Sequence, residues 1–440
     1  MRHSLLPEGL PKISYGIRQI VSKGYERESL GYPVIWENIG DPVQKGLQLP
    51  DWMRDIVAEQ IHDNSTYGYC DSKGLPETRE FIAKRTNDYG GQQIFKEDIT
   101  FFNGLGDAIA RFYSLLSDKT RVLMPSPTYP AHTGAEKLRI GSDPLTYDLD
   151  PDNGWLPDTK SVRQMVEKHK EISCLLIINP DNPTGTVYPK KVLLEMVQIA
   201  RDYNLFIVAD EIYENLVHSG KMVRMCEVIG DVPALVMKGI SKEIPWPGSR
   251  CGWVEYYNRG TDEQFNKLCT RIDECKMTEV CSTTLPQKAL PLILSHPEYG
   301  SFLAERKQKV SEKANLLKNR INSLDDISCS GADGAFYATL HIGNSFTASD
   351  VDPDMLPEVQ QELFRNWTRN FEGEPDLFLA YYLLAGAGVC TVPLSGFNCS
   401  VPGIRITLLE QNIGKFEYML DQLMFGLGSV FNRKGSLIQA

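Results

Sequence analysis

Lys242 and Arg250 stand eight residues apart in GISKEIPWPGSRCGW (239–253), among isoleucine, proline and tryptophan. Cations are uncommon in apolar surroundings unless a partner pairs with them. A lysine amine can form a Schiff base with a carbonyl compound, and an arginine can bind a phosphate through two parallel hydrogen bonds. Any single lysine is more often a solvated surface residue, so the chemistry depends on which other groups the fold brings to Lys242.

Five short apolar runs, each followed by polar or turn residues, predict the elements that position these groups. Such runs are typical of strands in a parallel sheet buried on both faces. The predicted strands are Ile99–Phe102, Arg121–Met124, Cys174–Ile178, Leu205–Ala209 and Ala234–Lys238. Helical periodicity between them, as in Lys191–Tyr203, predicts an open sheet covered by helices. Ligands of such sheets collect outside the carboxyl ends of the strands.

The first two strands are followed by a candidate anion site and a candidate stacking residue. NGLGDAIARF (103–112) leads through two glycines into a predicted helix, whose free N–H groups would bind an anion. It is not a dinucleotide fingerprint, because Ile109 occupies the position of the third glycine. Tyr129 lies between prolines in PSPTYPAH and could stack on a planar ligand. Each feature alone also fits a tight turn or an ordinary tyrosine.

The next two strands are followed by amides and a carboxylate. The two Asn-Pro steps of NPDNPTG hold the backbone extended and turned, which leaves the amides of Asn179 and Asn182 free for a ligand. DEIYENL places Asp210 at a strand end and Tyr213 three residues later. An acid there could bind magnesium as in a nucleoside triphosphatase, but the sequence lacks a P-loop motif. The alternative is a carboxylate that faces a cationic ring nitrogen.

Together the strand ends supply an anion cradle, a flat ring, amide and hydroxyl donors, a carboxylate and a lysine. Pyridoxal phosphate asks for this set, because it carries a phosphate, an aromatic ring, a phenolate oxygen, a pyridine nitrogen and an aldehyde. From about residue 30 to 425, the chain resembles the fold-type I pyridoxal-phosphate enzymes of the aspartate aminotransferase superfamily, class I/II. The motifs that carry the resemblance are YCDSKGLPETR, NGLGDA, PSPTYP, NPDNPTG, VADEIY, SKEIPWPGSRCGW and GIRITLL.

The resemblance implies a role for each of these groups. Lys242 matches the lysine that forms the internal aldimine and shuttles the Cα proton, and Arg250 matches the arginine on the cofactor phosphate. Asp210 matches the carboxylate on the pyridine nitrogen, and Tyr213 and Asn182 match the groups bonded to O3′. Further matches are Tyr129 stacked on the ring, backbone N–H groups of Leu105 and Gly106 on the phosphate, Arg405 on the substrate carboxylate, Asn182 and Gly40 beside the substrate, and Tyr69 on the neighbouring subunit's cofactor phosphate.

The resemblance also implies an α/β fold of the type I pyridoxal-phosphate transferase kind. A large domain, residues 49–300, would hold a mostly parallel sheet of the seven-stranded type covered by helices. An N-terminal arm, 1–48, and residues 301–440 would form a smaller α+β domain from both chain ends. Its predicted elements are a long helix pattern at Gly300–Leu324, strands near Ala335–Leu340 and Arg405–Leu408, and a final helix. A site shared through Tyr69 implies a homodimer.

Three departures from the family pattern limit this transfer. Gly239 stands where relatives often have a serine that contacts the phosphate, so we expect this contact to be altered or supplied from elsewhere. VPLSGF (392–397) stands where relatives often show VPGSxF. An acidic insertion at 343–374 is long for the family and could cap the site or add an oligomer contact.

Composition excludes several other classes. The net charge of −11 disfavours a nucleic-acid binder or an anionic membrane surface. The ten cysteines are scattered without a CxxC pair, so we expect reduced thiols in a cytoplasmic protein and no metal site. The longest apolar stretch, Leu377–Val392, is short for a membrane span and predicts a helix that runs into a buried strand.

The leading functional hypothesis is a transaminase that moves an amino group between an amino acid and a 2-oxo acid by a ping-pong cycle through the pyridoxamine form. Lyase, decarboxylase or oxidase chemistry on the same fold is the nearest alternative, because the cofactor residues do not separate these reactions. An amino-acid-sensing regulatory domain is a further alternative. The substrate side chain cannot be predicted from the sequence.

Overall fold

The computed structural model describes residues 16–431. The strands are β1 (Ile35–Trp36), β2 (Ile99–Asn103), β3 (Arg121–Ser126), β4 (Leu145–Asp150), β5 (Leu156–Pro157), β6 (Ile172–Ile178), β7 (Phe206–Asp210), β8 (Ala234–Gly239), β9 (Cys251–Tyr257), β10 (Ile327–Ser330), β11 (Tyr337–Ile342), β12 (Val389–Cys390), β13 (Val392–Pro393) and β14 (Gly403–Thr407). The α-helices are α1 (Gly16–Ser29), α2 (Asp51–His62), α3 (Pro76–Asn87), α4 (Leu105–Leu115), α5 (Pro130–Ile140), α6 (Thr159–Lys168), α7 (Lys190–Asp202), α8 (Glu263–Glu279), α9 (Thr284–Leu294), α10 (Tyr299–Ile321), α11 (Glu358–Thr368), α12 (Pro375–Gly386) and α13 (Ile413–Phe431).

The large sheet has the strand order β2-β9-β8-β7-β6-β3-β4-β5. Strands β3, β4, β6, β7 and β8 pair in parallel, whereas β9 is antiparallel to both of its neighbours. Strand β6 shows that both faces of the sheet are buried. Leu175 and Ile177 enter one hydrophobic core, and Leu176 and Ile178 enter another on the opposite face. The mostly parallel, helix-covered sheet is therefore confirmed, and the short β5 adds an eighth strand at its edge.

The smaller sheet is antiparallel, in the order β10-β11-β14-β13. A separate two-stranded ladder joins the N-terminal part of the chain to the C-terminal part, where Ile35 pairs with Val389 and Trp36 with Cys390. Helix α10 packs against β10 and α13. This arrangement agrees with an α+β unit built from both chain ends, although the boundaries at residues 48 and 300 stay a prediction.

The segment at 343–374 contains two short 3-10 helices and one α-helix, α11, which packs on α12. The Phe364 ring lies 4.9 Å from that of Phe378 and 5.6 Å from that of Tyr382, measured between centroids. Helix α12 then runs into the buried β12 and β13, as the apolar stretch predicted. Within residues 16–431, no helix is long and apolar enough to cross a membrane. All ten cysteines are free thiols.

Candidate active site

Lys242 lies in the loop between β8 and β9, at the carboxyl end of β8. Its Nζ donates a hydrogen bond to the carbonyl oxygen of Gly40, at 3.0 Å, and lies 5.7 Å from the centroid of the Phe336 ring. Gly40 and Phe336 come from the two ends of the chain. The amine is thus placed where the large sheet meets the segments around the smaller one.

A cradle for an anion forms where α4 begins. Gly104 caps the helix with φ +79°, and the backbone of Leu105 and Gly106 forms its first turn. Arg250 lies against this turn and donates from Nη2 to the carbonyl of Asn103 at 3.2 Å. A Cβ atom at Gly104 would lie 2.5 Å from Arg250 Nη2, so only glycine permits this approach. The helix dipole and the guanidinium together favour a bound anion.

Asp210 ends β7 and is buried. Its Oδ1 accepts a hydrogen bond from the Ile212 N–H at 3.1 Å. His132 Nε2 lies 3.5 Å from Asp210 Oδ2, and His132 Nδ1 lies 3.3 Å from the Tyr113 hydroxyl. Sequence reasoning missed His132, although it stands three residues after Tyr129, within the first turn of α5. A buried histidine and backbone donor therefore hold the carboxylate that was predicted to face a ring nitrogen.

The predicted ring-binding residues Asn182 and Tyr129 differ in their exposure. Asn182 is only 4% exposed, yet its Oδ1 has no hydrogen-bond partner within the described part of the chain. Tyr129 is 40% exposed, and its ring centroid lies 6.4 Å from that of His132. The expectation for Asn179 was wrong, because its Oδ1 accepts from the Tyr188 N–H at 2.9 Å and its Nδ2 donates to Val223. Only Asn182 keeps hydrogen-bonding capacity for a ligand.

Arg405 lies on β14 between β11 and β13, and it is buried. Its Nη2 donates to the Asn38 carbonyl at 2.6 Å, and its Nε has no hydrogen-bond partner among the described residues. The guanidinium carbon lies 4.5 Å from the centroid of the Tyr337 ring and 5.2 Å from that of Phe397. Burial lowers the pKa of Arg405. A dehydrated cation with donor capacity to spare is suited to bind a carboxylate.

Tyr337 joins these groups and was also missed in the sequence. Its hydroxyl accepts a hydrogen bond from the Tyr213 hydroxyl at 3.2 Å. A Cβ atom at Gly40 would overlap the same oxygen, which explains why glycine is needed there. Its ring also faces Arg405. Nothing in the local sequence distinguishes Tyr337 from the many other buried aromatic residues.

Two further predicted positions differ in their surroundings. Tyr69 is 85% exposed, unlike the buried residues of the site. Gly239 is tightly enclosed, because a Cβ there would lie 3.0 Å from the Cys251 carbonyl and 3.1 Å from the Gly252 Cα. A serine would therefore require its neighbours to shift by a few tenths of an ångström.

The residues present fit pyridoxal phosphate. The α4 cradle with Arg250 matches a phosphate, and the buried Asn182 amide has unused hydrogen-bonding capacity for a ring oxygen. Asp210 offers a carboxylate that is held from behind by His132. Lys242 offers a primary amine within the same group of strand ends.

Comparison with known proteins identifies the class. Residues 34–422 match the family described as aminotransferase class I and II. The chain belongs to this family and is a transaminase of the fold-type I pyridoxal-phosphate class. This result favours amino-group transfer over the lyase, decarboxylase and oxidase alternatives.

Particular relatives agree with this class. The chain is 46% identical over 424 residues to an uncharacterized aminotransferase of Methanocaldococcus jannaschii, covering 96% of this chain and 98% of that protein. It is 31% identical over 332 residues to the glutamate-pyruvate aminotransferase of Escherichia coli, covering 74% of this chain and 80% of that one. The solved alanine aminotransferase from Pyrococcus furiosus superposes with a TM-score of 0.82 at 28% identity, covering 95% and 98% of the two chains.

Proposed function

We propose that this transaminase uses pyridoxal 5′-phosphate to move an amino group between glutamate and pyruvate. The observation that carries the proposal is that Lys242 and Arg405 both donate hydrogen bonds to backbone carbonyls of the short segment 38–40. Lys242 donates to the Gly40 carbonyl and Arg405 to the Asn38 carbonyl, so the amine and the cation lie over residues only two positions apart. The choice of substrates is supported by the names of the similar glutamate-pyruvate and alanine aminotransferases.

The proposed cofactor site uses the residues around Lys242. Pyridoxal phosphate, when bound, supplies an aldehyde that captures the substrate amine and a ring that accepts the electron pair left on Cα. Arg250 and the first turn of α4 hold its phosphate, and Asp210 keeps the ring nitrogen protonated through its negative charge. The remaining contacts are Tyr129 on the ring face, Tyr213 and Asn182 on the ring oxygen, Leu105 and Gly106 at the phosphate, and Tyr69 from a second subunit.

The substrate side of the proposal depends on Arg405 and Lys242. Arg405 binds the α-carboxylate and thereby orients the Cα–H bond toward the Lys242 amine, which removes and returns the proton. Asn182 and Gly40 line the same space. The burial of Arg405 and Asn182 limits the water that would compete for the proton.

The test follows the visible absorbance of the purified holoenzyme. Glutamate should bleach the band and pyruvate should restore it, because each half-reaction changes the cofactor's form. Lys242→Ala should abolish turnover, whereas Lys267→Ala, which changes an exposed lysine of α8, should not. If aspartate bleaches the band and glutamate does not, the substrate assignment is wrong, and substantial turnover by Lys242→Ala contradicts the role of that lysine.

Two broader features complete the proposal. A homodimer with shared sites is supported by the exposed position of Tyr69, which is free of the core and could reach another subunit. A cytoplasmic location is supported by ten free cysteines, since none is paired in a disulfide.

A further inference from the structure

Helix α10 carries two buried cations on one face, Arg306 and Lys313. They are 7% and 4% exposed, and neither lies within ion-pair distance of a carboxylate in the part of the chain described. Seven residues separate them, or about 10 Å along the helix axis. Burial lowers the pKa of Arg306 to about 10 and that of Lys313 to about 8. Burying an unpaired cation is unfavourable, so its hydrogen bonds must compensate.

Arg306 holds the backbone of the Lys242 loop. Its Nη1 donates to the Lys242 carbonyl at 3.1 Å and also to the Glu243 carbonyl. About two turns nearer the N-terminus of the same helix, the Tyr299 hydroxyl donates to the Glu243 carboxylate at 2.9 Å. The peptide that carries the reactive amine is therefore fixed to α10 from two positions.

Lys313 holds the other end of the site. Its Nζ donates to the Leu408 carbonyl at 3.1 Å. Leu408 directly follows β14, three residues after Arg405, and its N–H donates to the Phe336 carbonyl at 2.9 Å. The same helix thus contacts the strand that carries the carboxylate-binding arginine.

We propose that α10 is a brace that sets the distance between the Lys242 amine and the Arg405 guanidinium, with Arg306 and Lys313 as its two positioning residues. The proposal rests on the functions proposed above for Lys242 and Arg405. Neither brace residue touches substrate or cofactor. Each acts by fixing a backbone carbonyl close to a residue that does, and small errors in such geometry cost large factors in rate.

A double-mutant cycle tests the brace, using Arg306→Met, Lys313→Met and the double variant. Arg306→Met should lower kcat about tenfold and shift the pH midpoint of the cofactor's visible band, because the lysine loop relaxes. Lys313→Met should lower kcat/KM by a similar factor, because loosening the Arg405 strand changes the same distance. Lys309→Met is the matched control, since it removes an exposed cation of the same helix and should change none of these values.

The decisive quantity is kcat/KM of the double variant. A brace cut at either end no longer sets the distance, so the double variant should be little worse than the poorer single variant. Residues this far apart without shared partners normally have additive effects, and a loss equal to the product of the single losses overturns the proposal. An unchanged pH midpoint in Arg306→Met also overturns it.

Two arrangements keep the result interpretable. If a methionine variant fails to fold by circular dichroism, the cycle is run with Arg306→Lys and Lys313→Gln, which keep a donor at each position, and the pH midpoint of the visible band remains the readout. If wild-type protein does not accept glutamate, the substrate proposal fails, and the cycle uses whichever amino acid bleaches the band. The brace is then tested by the non-additivity measured with that amino acid and by the pH midpoint of the visible band, which needs no substrate.

Discussion

At the residue level, the anion cradle depends on the missing side chain of Gly104. Gly104→Ala should raise the Kd for pyridoxal phosphate at least about tenfold, because the added Cβ would displace Arg250 and the left-handed φ would be strained. Fluorescence titration of the apoprotein measures this. Gly248→Ala is the control, since a Cβ there meets no atom within 4 Å. Equal affinity in the two variants would contradict the placement of the phosphate.

Two substitutions of Tyr337 separate the role of its hydroxyl from the role of its ring. Tyr337→Phe removes only the hydroxyl that accepts from Tyr213, so kcat should fall about fivefold, the worth of one hydrogen bond. Tyr337→Leu also removes the ring that faces Arg405, so KM for both substrates should rise about tenfold or more. Steady-state kinetics distinguishes the two variants. If both change kcat and KM alike, the ring does not support Arg405.

The raised pKa of Asp181 predicts that the stability of the folded chain depends on pH. Burial raises its pKa to about 7, although Thr184 donates to its Oδ2 from both N–H and hydroxyl. Between about pH 4 and 7 the folded chain retains a proton that the unfolded chain releases, so stability falls as pH rises, by up to about 1.4 kcal/mol per pH unit. Asp181→Asn lacks this titration. Urea unfolding of both proteins should give a stability difference that changes across this window and is constant above it; a flat difference throughout would refute the assignment.

The sequence predicted the candidate residues that stand at strand ends. It did not predict the residues that contact those candidates from other elements. Lys242 and Asp210 could be placed at one edge because parallel strands deliver their following residues there, and Arg250 reaches the same edge because it precedes the antiparallel β9. His132 and Tyr337 could not be placed in this way, since their roles depend on which side chains they meet across the fold. The prediction for Asn179 was wrong for a different reason, because a polar side chain at a strand end can also form hydrogen bonds with the protein backbone.

At the level of elements, Lys238 ties together the central strands β8 and β9 and the loop after β7. Its Nζ lies 3.5 Å from Glu211, 3.3 Å from Glu214 and 3.4 Å from Glu255, all buried or nearly so. Lys238→Met should lower the free energy of unfolding by about 3–5 kcal/mol, because buried carboxylates would lose their counter-charge. Urea unfolding measures the loss. Lys267→Met, which removes an exposed ion pair on α8, should change it by less than about 1 kcal/mol, and a similar loss in both would contradict the network.

Apolar periodicity predicted where most strands and helices lie in the chain. It did not predict which strands pair with one another. The five predicted strands lie within two residues of the observed bounds, and α10 begins one residue before its prediction and ends three residues earlier. Strand β9 was not recognised, because CGWVEYY interleaves a glycine and a charge that looks exposed in sequence. Glu255 can be buried because Lys238 pairs with its carboxylate and the side chains of Trp253, Tyr257 and Thr86 donate hydrogen bonds to it.

At the level of the whole molecule, a shared site predicts complementation between two defective chains. Tyr69→Ala and Lys242→Ala should each be weakly active or inactive alone. Mixed dimers would contain one site with both defects and one with neither, so random mixing should restore about a quarter of the wild-type sites. Activity after co-refolding measures this. Activity no higher than the mean of the two separate proteins would show that Tyr69 serves its own subunit or none.

Long-range contacts set the limit of prediction at this scale. Gly40 and Lys242 are 202 positions apart in the chain, and Arg405 and Asn38 are 367 apart. The sequence alone carries no pattern for such pairs, and only the resemblance to a family placed them in one site. No sequence motif indicated that α10 contacts both the Lys242 loop and the residue that follows β14.

The burial of Arg405 has a consequence for how a substrate would enter. Folding has already stripped most water from this guanidinium and given it peptide oxygen in exchange. A carboxylate arriving there can use the unpaired Nε donor, which is already buried, so little hydration energy remains to be lost by the protein. Affinity for the substrate should therefore vary weakly with ionic strength, as expected for a charge shielded from mobile counterions.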